Sequence, residues 1–343
     1  MLVACLPRIA DNPYQALLNG ALEELGVEFD PVVRPSVRWA LRNGGRLDAL
    51  HLHWLESIVG SDGGPKVALR AARLVVFLLV LKARRVRIVW TVHNLRPHDS
   101  RHPKRDLMFA RGLARLSDEL CASSKHAAAQ IEEAYGQSPV RVAYHPAYDM
   151  DSYPRSSAPR DEVRAGYGIP ADARVFLAFG LVRAYKRLPD LVLAFRSVDD
   201  PNARLLIVGR PSPPGAEAEI AARAKGDERV ITRFEHVPDE AVGDLHAAAD
   251  VAVLPYRDVF SSGALLLALG QGLPVVAPVG TTADEIADPP VVHPYSDGEL
   301  ARTLASVEPI DDEVGEAALA VSRTFTWRRC AEVVLAAYRG DSL

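Results

Sequence analysis

Arg183 and Lys186 stand three residues apart, just beyond an apolar run from Val175 to Phe179 that ends at Gly180. Read as a strand, the run places both cations at its carboxyl end, where a helix is expected to begin. Two fixed cations near a helix amino terminus make a receptor for a doubly charged phosphate group. Alone, the segment is equally a solvated basic turn. A second turn shifts the balance: the run ending at Leu254-Pro255-Tyr256 leads into Ser261, Ser262 and Gly263, and an apolar helix follows. Ser262 falls where a helix cap belongs, and Gly263 lets the backbone approach a ligand closely. Free N–H groups at such a turn suit a diphosphate. The chain has no GxSxG, P-loop or GxGxxG motif.

The elements that must position these groups alternate between short β-rich runs and longer helical stretches, the pattern of parallel sheets covered by helices. In the first half, strands are expected at Leu2 to Leu6, Leu47 to His53, Val86 to Val92, Glu119 to Ser123 and Val140 to Tyr144. Helices fall at Pro13 to Leu25, Lys66 to Arg84 and Asp106 to Leu116. Residues 145 to 173 then carry Pro146, Pro154, Pro159 and Pro170 among Ser, Asp and Arg, which reads as a linker. Strands resume at Val175 to Phe179, Arg204 to Val208, Val230 to Phe234, Val251 to Leu254 and Pro274 to Ala277, and an amphipathic helix over Trp327 to Tyr338 ends the chain. The division expected is a first domain over 1–150, a linker over 151–172, a second domain over 173–324 and a final helix over 325–343 that crosses back to the first domain.

With 343 residues the chain is long enough for two domains, each with its own core. A net charge of −4 excludes a generic polyanion binder, so no nucleic-acid partner is expected. The charge is uneven: Lys66 to Arg115 holds thirteen Lys and Arg against Asp99 and Asp106, a local net of +11. That asymmetry points to an anionic surface or substrate, or to solvated helix faces. The apolar centre LVVFLLVL, set between Arg73 and Lys82, is either a doubly covered core helix or part of a patch that meets a membrane. The amino terminus shows no signal-peptide pattern, and no apolar run reaches the length of a span. Cys5, Cys121 and Cys330 are few and scattered, which suggests a reducing compartment without a zinc site or disulfide framework. A cytoplasmic protein, peripheral at the inner membrane face if the basic region binds lipid, is the expectation.

The order G-x2-R-x2-K, then HVPDEAVGDLHAAADVAVLPY, then SSGALLLALGQGLPVVAP, then Asp284-Glu285-Ile286 resembles the carboxyl-terminal domain of GT-B glycosyltransferases. It is most similar to family 4, the "glycosyl transferases group 1" domain. The resemblance implies an α/β GT-B architecture, two Rossmann-like doubly wound domains facing across a cleft. It further implies transfer of a sugar from a nucleotide-diphosphate sugar of UDP or GDP type to a hydroxyl acceptor, lipid-linked where the basic patch is used. Retention at the anomeric carbon is implied as well.

By that resemblance Arg183 and Lys186 hold the donor diphosphate beside Gly180, and Val237 and Pro238 line the nucleobase through backbone contacts. Ser261, Ser262, Gly263 and Ala264 meet phosphates or ribose, and Glu285 reaches the nucleotide. The chain departs from the family where two glutamates usually stand eight apart: Val259 and Leu267 occupy those positions, and Asp258 is the adjacent substitute. His93, directly after a strand in WTVHNLRPHD, matches a family histidine that touches the donor sugar, and a histidine there can also take a proton near neutral pH. His98 and Asp99 follow in the same loop. His51, His53 and Trp54 end the neighbouring strand, as acceptor-side lining or as core. Asn12, Pro13 and Tyr14 cap the first helix and shape the acceptor pocket, without the Gly-Gly pair of many relatives. Asp149-Met150-Asp151 spells a DxD but lies in the proline-rich crossing, so no metal is expected, and the two cations neutralise the leaving diphosphate instead. No cofactor is expected. The alternatives are a non-catalytic nucleotide-binding scaffold, favoured by the missing glutamates, and another GT-B enzyme such as a sugar-nucleotide epimerase or a phosphorylase.

Overall fold

The computed structural model describes residues 1–9, 13–31, 36–60, 64–96, 102–148, 152–256, 263–286 and 291–342. The first sheet holds β1 (Leu2–Leu6), β2 (Glu28–Asp30), β3 (Ala49–Leu52), β4 (Arg87–Thr91), β5 (Glu119–Ala122) and β6 (Arg141–Val142), in the order β2-β1-β3-β4-β5-β6. The second holds β7 (Val175–Phe179), β8 (Arg204–Val208), β9 (Val230–Arg233), β10 (Val251–Val253), β11 (Val275–Pro278) and β12 (Val292–Tyr295), in the order β12-β11-β10-β7-β8-β9. All the strand pairs are parallel. Helices cover both faces of such sheets, so the strands are continuous apolar runs and not alternating ones. β3 is buried along its whole length, and so is β8 after its first residue.

The chain divides into two compact units, residues 1–145 with 327–343 and residues 146–326. The linker expected over 151–172 therefore needs correcting. Those of its residues that are described belong to the second unit, and a helix, Arg160–Gly166, lies among them. The helix escaped notice because its one buried residue is Arg164, which leaves no apolar periodicity to read. Arg164 donates to the Asp250 carboxylate at 2.9 Å and to the Ala248 carbonyl at 3.0 Å. Asp250, itself buried, also accepts from Arg160 at 2.5 Å, from the Val175 N–H at 2.7 Å and from the Ile310 N–H at 3.3 Å. One carboxylate thus ties the 160–166 helix to the starts of β7 and β10.

The final helix, Trp327–Arg339, belongs to the first unit and packs on the Pro13–Glu24 helix. Its Cys330, Val334 and Tyr338 join Val3, Leu18, Leu22 and Val89 in one core. Arg87 donates to the Ala337 carbonyl at 2.7 Å and fixes the end of this helix. In the second unit, separate cores fill the two faces of the sheet, one around Leu177, Leu254 and Leu269 and one around Phe176, Phe195 and Ile207.

Removing one member of a buried, multiply bonded ion pair leaves the other desolvated and unpaired. Asp250→Ala is expected to destabilise the second unit by about 3–5 kcal/mol. Urea unfolding followed by circular dichroism measures this, and a loss below about 1 kcal/mol contradicts the assignment of Asp250 as the tie.

Candidate active site

In the second sheet β7 is the first strand, with β8 and β9 on one side and β10, β11 and β12 on the other. The chain order reverses between β7 and β10, and open parallel sheets bind ligands in the crevice outside the strand carboxyl ends at such a point. Gly180 leaves β7 with φ 105°, a backbone that disfavours any side chain. A Cβ on Gly209, after β8, would lie 2.0 Å from the Gly180 oxygen, so these two loops close only over glycine.

Arg183 is extended and enters a 3-10 turn, Ala184–Lys186. The α-helix begins later, at Leu188, after Arg187 in the left-handed region at φ 49°. The two cations are therefore presented by the 3-10 turn and not by the first turn of an α-helix. Lys186 is folded inward and buried. Its Nζ lies 3.4 Å from the Phe179 carbonyl and 5.3 Å from the centre of the Tyr256 ring, across the β7–β10 boundary. Burial, with Arg183 nearby, pushes the ammonium down to about 8. The Arg183 Nε is also buried and meets no acceptor among the described residues. Both groups have capacity left for an anion.

The other residues expected on the donor side follow carboxyl ends of the same sheet. Gly263 and Ala264 open the Gly263–Gly270 helix, and Leu267 is packed in its core, so no carboxylate stands there. Val237, after β9, packs against the core, and the Pro238 carbonyl accepts from Ala241 at 2.9 Å. Glu285 ends a 3-10 turn, Thr282–Glu285, after β11. Asp258, Val259, Ser261 and Ser262 lie outside the described residues. Sequence reasoning missed Tyr256, visible only as a strand end, and Thr282, whose buried hydroxyl has no hydrogen-bond partner among the described residues.

In the first unit Tyr14, from the first turn of the Pro13–Glu24 helix, converges with His53 and Trp54 after β3 and His93 after β4. Trp54 stacks on His93 at 4.1 Å and 8°, and Tyr14 meets His93 edge-on at 5.2 Å. His53 Nδ1 and His93 Nε2 share a hydrogen bond of 3.1 Å. Burial, with His51 beside His53 and with His53 and His145 beside His93, holds both imidazoles well below the usual histidine range. They act as a neutral pair, in which one ring donates and the other accepts. His51 belongs to the core instead: its nitrogens bond Tyr338 and Thr91, both at 2.7 Å. Cys5, His51 and His53 bring potential metal-ligand atoms within 4.8 Å of one another, but His51 has both nitrogens committed, so the group reads as hydrogen-bonded core. Asn12, His98 and the Asp149-Met150-Asp151 motif lie outside the described residues.

His53, Trp54, His93 and Asn94 also line a cavity of about 810 Å³ that runs between the Pro65–Ala83 and Pro103–Leu116 helices. Glu56 lines it as well, and burial raises its carboxyl above the ordinary carboxylate range. Glu56 was missed because in sequence it is only the first acidic residue of a four-residue helix, Glu56–Val59. The fold uses part of the basic excess nearby. Lys82 pairs with Asp118 at 2.7 Å, Arg87 with Glu119 at 3.1 Å and Arg105 with Asp106 at 2.7 Å. Lys66, Arg70, Arg73 and Lys104 are exposed.

The pattern of the family "Glycosyl transferases group 1" matches residues 173–307. The GDP-mannose:glycolipid 4-beta-D-mannosyltransferase of Xanthomonas campestris pv. campestris is 30% identical over 306 residues, 88% of this chain and 80% of that protein. The chain belongs to the group 1 glycosyltransferases. It is a nucleotide-sugar glycosyltransferase. A D-inositol 3-phosphate glycosyltransferase of Kribbella flavida is 28% identical over 365 residues, 96% of this chain and 80% of that one. Anabaena HepE, crystallised in complex with UDP, covers 99% of both chains with a TM-score of 0.71 at 17% identity, a likeness of fold that identifies the GT-B architecture.

Buried neutral histidines make this glycosyltransferase sensitive to acid. His51 is held at about 3, His246 at about 4, and His53 and His93 well below 6.5, all chiefly by burial. Below about pH 6.5 the unfolded chain takes up protons that the folded chain refuses, so stability is full above that pH and falls as pH drops. With four groups the slope reaches roughly 5 kcal/mol per pH unit inside the window. Urea midpoints between pH 7 and 5 test this, and a flat profile contradicts it.

Proposed function

We propose that this glycosyltransferase moves a hexosyl group from a UDP- or GDP-type sugar to a hydroxyl of a lipid-linked saccharide, without a bridging metal. The observation that carries the proposal is the withdrawn Lys186 ammonium beside Arg183, at the point where strand order reverses. Charge develops on the departing diphosphate in the transition state, and preorganised cations in a dry site stabilise it there without reorganising. Arg183 and Lys186 would serve that purpose, beside backbone groups at Gly180, Gly263 and Ala264. Val237 and Pro238 would face the base, with Glu285 on the nucleotide side. Asp258, Ser261 and Ser262 retain the donor-side roles implied by resemblance. His93 would bond a hydroxyl of the donor sugar or acceptor, held in place by Trp54 and His53, and Tyr14, Asn12 and His98 would border the acceptor. The glycolipid named for the Xanthomonas relative supports a lipid-linked acceptor. So do the exposed cations Lys66, Arg70, Arg73 and Lys104, which suit an anionic membrane surface on the cytoplasmic side.

Arg183→Ala and Lys186→Ala are each expected to lower kcat/KM about 100-fold or more. Calorimetric titration with UDP, GDP and ADP in EDTA should give saturable binding of one nucleotide, weakened in both variants. Affinity should also fall as pH rises through about 8, because the free Lys186 loses its charge there. Undiminished turnover in either variant overturns the diphosphate assignment.

Family resemblance favours retention, by departure and attack on one face of the sugar. A second reading, inversion, is favoured by Glu56: a carboxyl raised by burial in the cavity that His93 also lines is a stronger base for the acceptor proton in an opposite-face attack. The "4-beta" linkage in the relative's name supports the same reading. Proton NMR of the product from an α-linked donor decides between them. An α-glycoside means retention, and a β-glycoside formed about 100-fold more slowly by Glu56→Gln means inversion with Glu56 as base.

A further inference from the structure

The cavity of the first unit is more apolar than a saccharide requires. At about 810 Å³ it lies within the range of about 300–1,000 Å³ usual for small-molecule sites. Ala71 and Val75 of the 65–83 helix and Phe109 and Leu113 of the 103–116 helix line it. Sugar hydroxyls among such side chains would lose their hydrogen bonds to water and gain none. A hydrocarbon chain would lose nothing. Polar groups in the lining include Glu56, His53, His93 and Asn94, with Arg96 and Arg105 as cations. The same two helices expose Leu69, Val76, Leu79 and Met108 at 52%, 46%, 48% and 69%. The exposed cations Lys66, Arg70, Arg73 and Lys104 stand on these helices too. Apolar side chains interspersed with cations match the boundary of an anionic membrane.

The structure assigns this cavity to the hydrocarbon chain of the lipid-linked acceptor. The chain lies between the two helices, with the polar head beside His93, Asn94 and Glu56. The assignment deepens the reading of the acceptor given above and rests on it. It also makes chain length a determinant of acceptor choice, since each methylene taken up tightens binding by up to about fourfold until the cavity is full.

The test titrates dansylated 6-aminohexanoic acid and dansylated 11-aminoundecanoic acid, read by dansyl fluorescence, against the full chain. Binding of the longer probe is expected to be saturable and at least tenfold tighter than that of the shorter. Ala71→Trp, which fills the cavity, should weaken the longer probe at least tenfold, and Val75→Phe takes its place if the first variant does not fold. Leu69→Gln/Leu79→Gln on the outer face should change it less than twofold. Equal affinity for the two probes, or no saturable binding of the longer one, overturns the assignment. So does a loss confined to the outer-face variant, which would mean surface adsorption only. Nucleotide titration on the same samples keeps the two readings apart. Lost nucleotide binding with intact probe binding rejects the donor site alone, and the converse rejects the cavity alone.

Discussion

Parallel pairing of the strands is the constraint from which the rest of this molecule follows. A parallel pair cannot be closed by a tight turn, so every strand is followed by a crossing segment that covers one face of the sheet. Strands buried on both faces must be apolar, and polar groups can enter them only with their partners supplied. His51 in β3 shows the condition, with Thr91 on the adjacent strand and Tyr338 on the final helix taking its two nitrogens. The charged and titratable residues of the candidate sites stand instead at the carboxyl ends. Arg183, Lys186, Glu285, His53 and His93 all stand there.

Two buried charges in the second unit show how the same fold treats structure and chemistry differently. Asp250 accepts two guanidinium groups and two backbone N–H groups, so its burial leaves nothing unsatisfied. Lys186 is equally buried, but it has a carbonyl at 3.4 Å, an aromatic face and a neighbouring cation in place of a carboxylate. Its fall from 10.5 to about 8 means that the charged form is disfavoured by roughly 3 kcal/mol relative to water. A carboxylate from the chain would recover that energy and close the site. Leaving it unrecovered keeps the energy available to an anion that arrives from outside.

What could be read in the sequence tracks this division. The strands were legible because double-sided burial writes continuous apolar runs, as in VFLAF and RLLIV. Arg183 and Lys186 were legible because cations directly after such a run have few structural uses. β2 was not, since Glu28, Phe29 and Asp30 form a short edge strand with no buried residue. The 160–166 helix was hidden because an arginine fills its inward position, which periodicity cannot weigh. The Lys125–Tyr135 helix was missed for another reason: Ala127 and Ala128 supply the first half of its buried face, ahead of Ile131 and Tyr135, although Ser124 caps it by accepting from Ala127 at 3.0 Å. Glu56 and Tyr256 became significant only when the cavity and the strand boundary gave them neighbours.

The histidine cluster carries the same physics in the opposite sense. Trp54, His93, His145 and Trp327 meet around Tyr14 from distant parts of the chain, so the final helix contributes to the aromatic cluster through Trp327. Burial and neighbouring histidines suppress the imidazolium, which leaves His53 and His93 as a neutral hydrogen-bonded pair. A neutral ring can accept from one hydroxyl while its other nitrogen is held. Glu56, raised by burial, follows the same rule from the acidic side. His53, His93 and Glu56 of the first unit are thus held toward their neutral forms, while Lys186 of the second has no carboxylate beside it. The transfer proposed above, which sheds negative charge on the donor and a proton on the acceptor, would use that distribution.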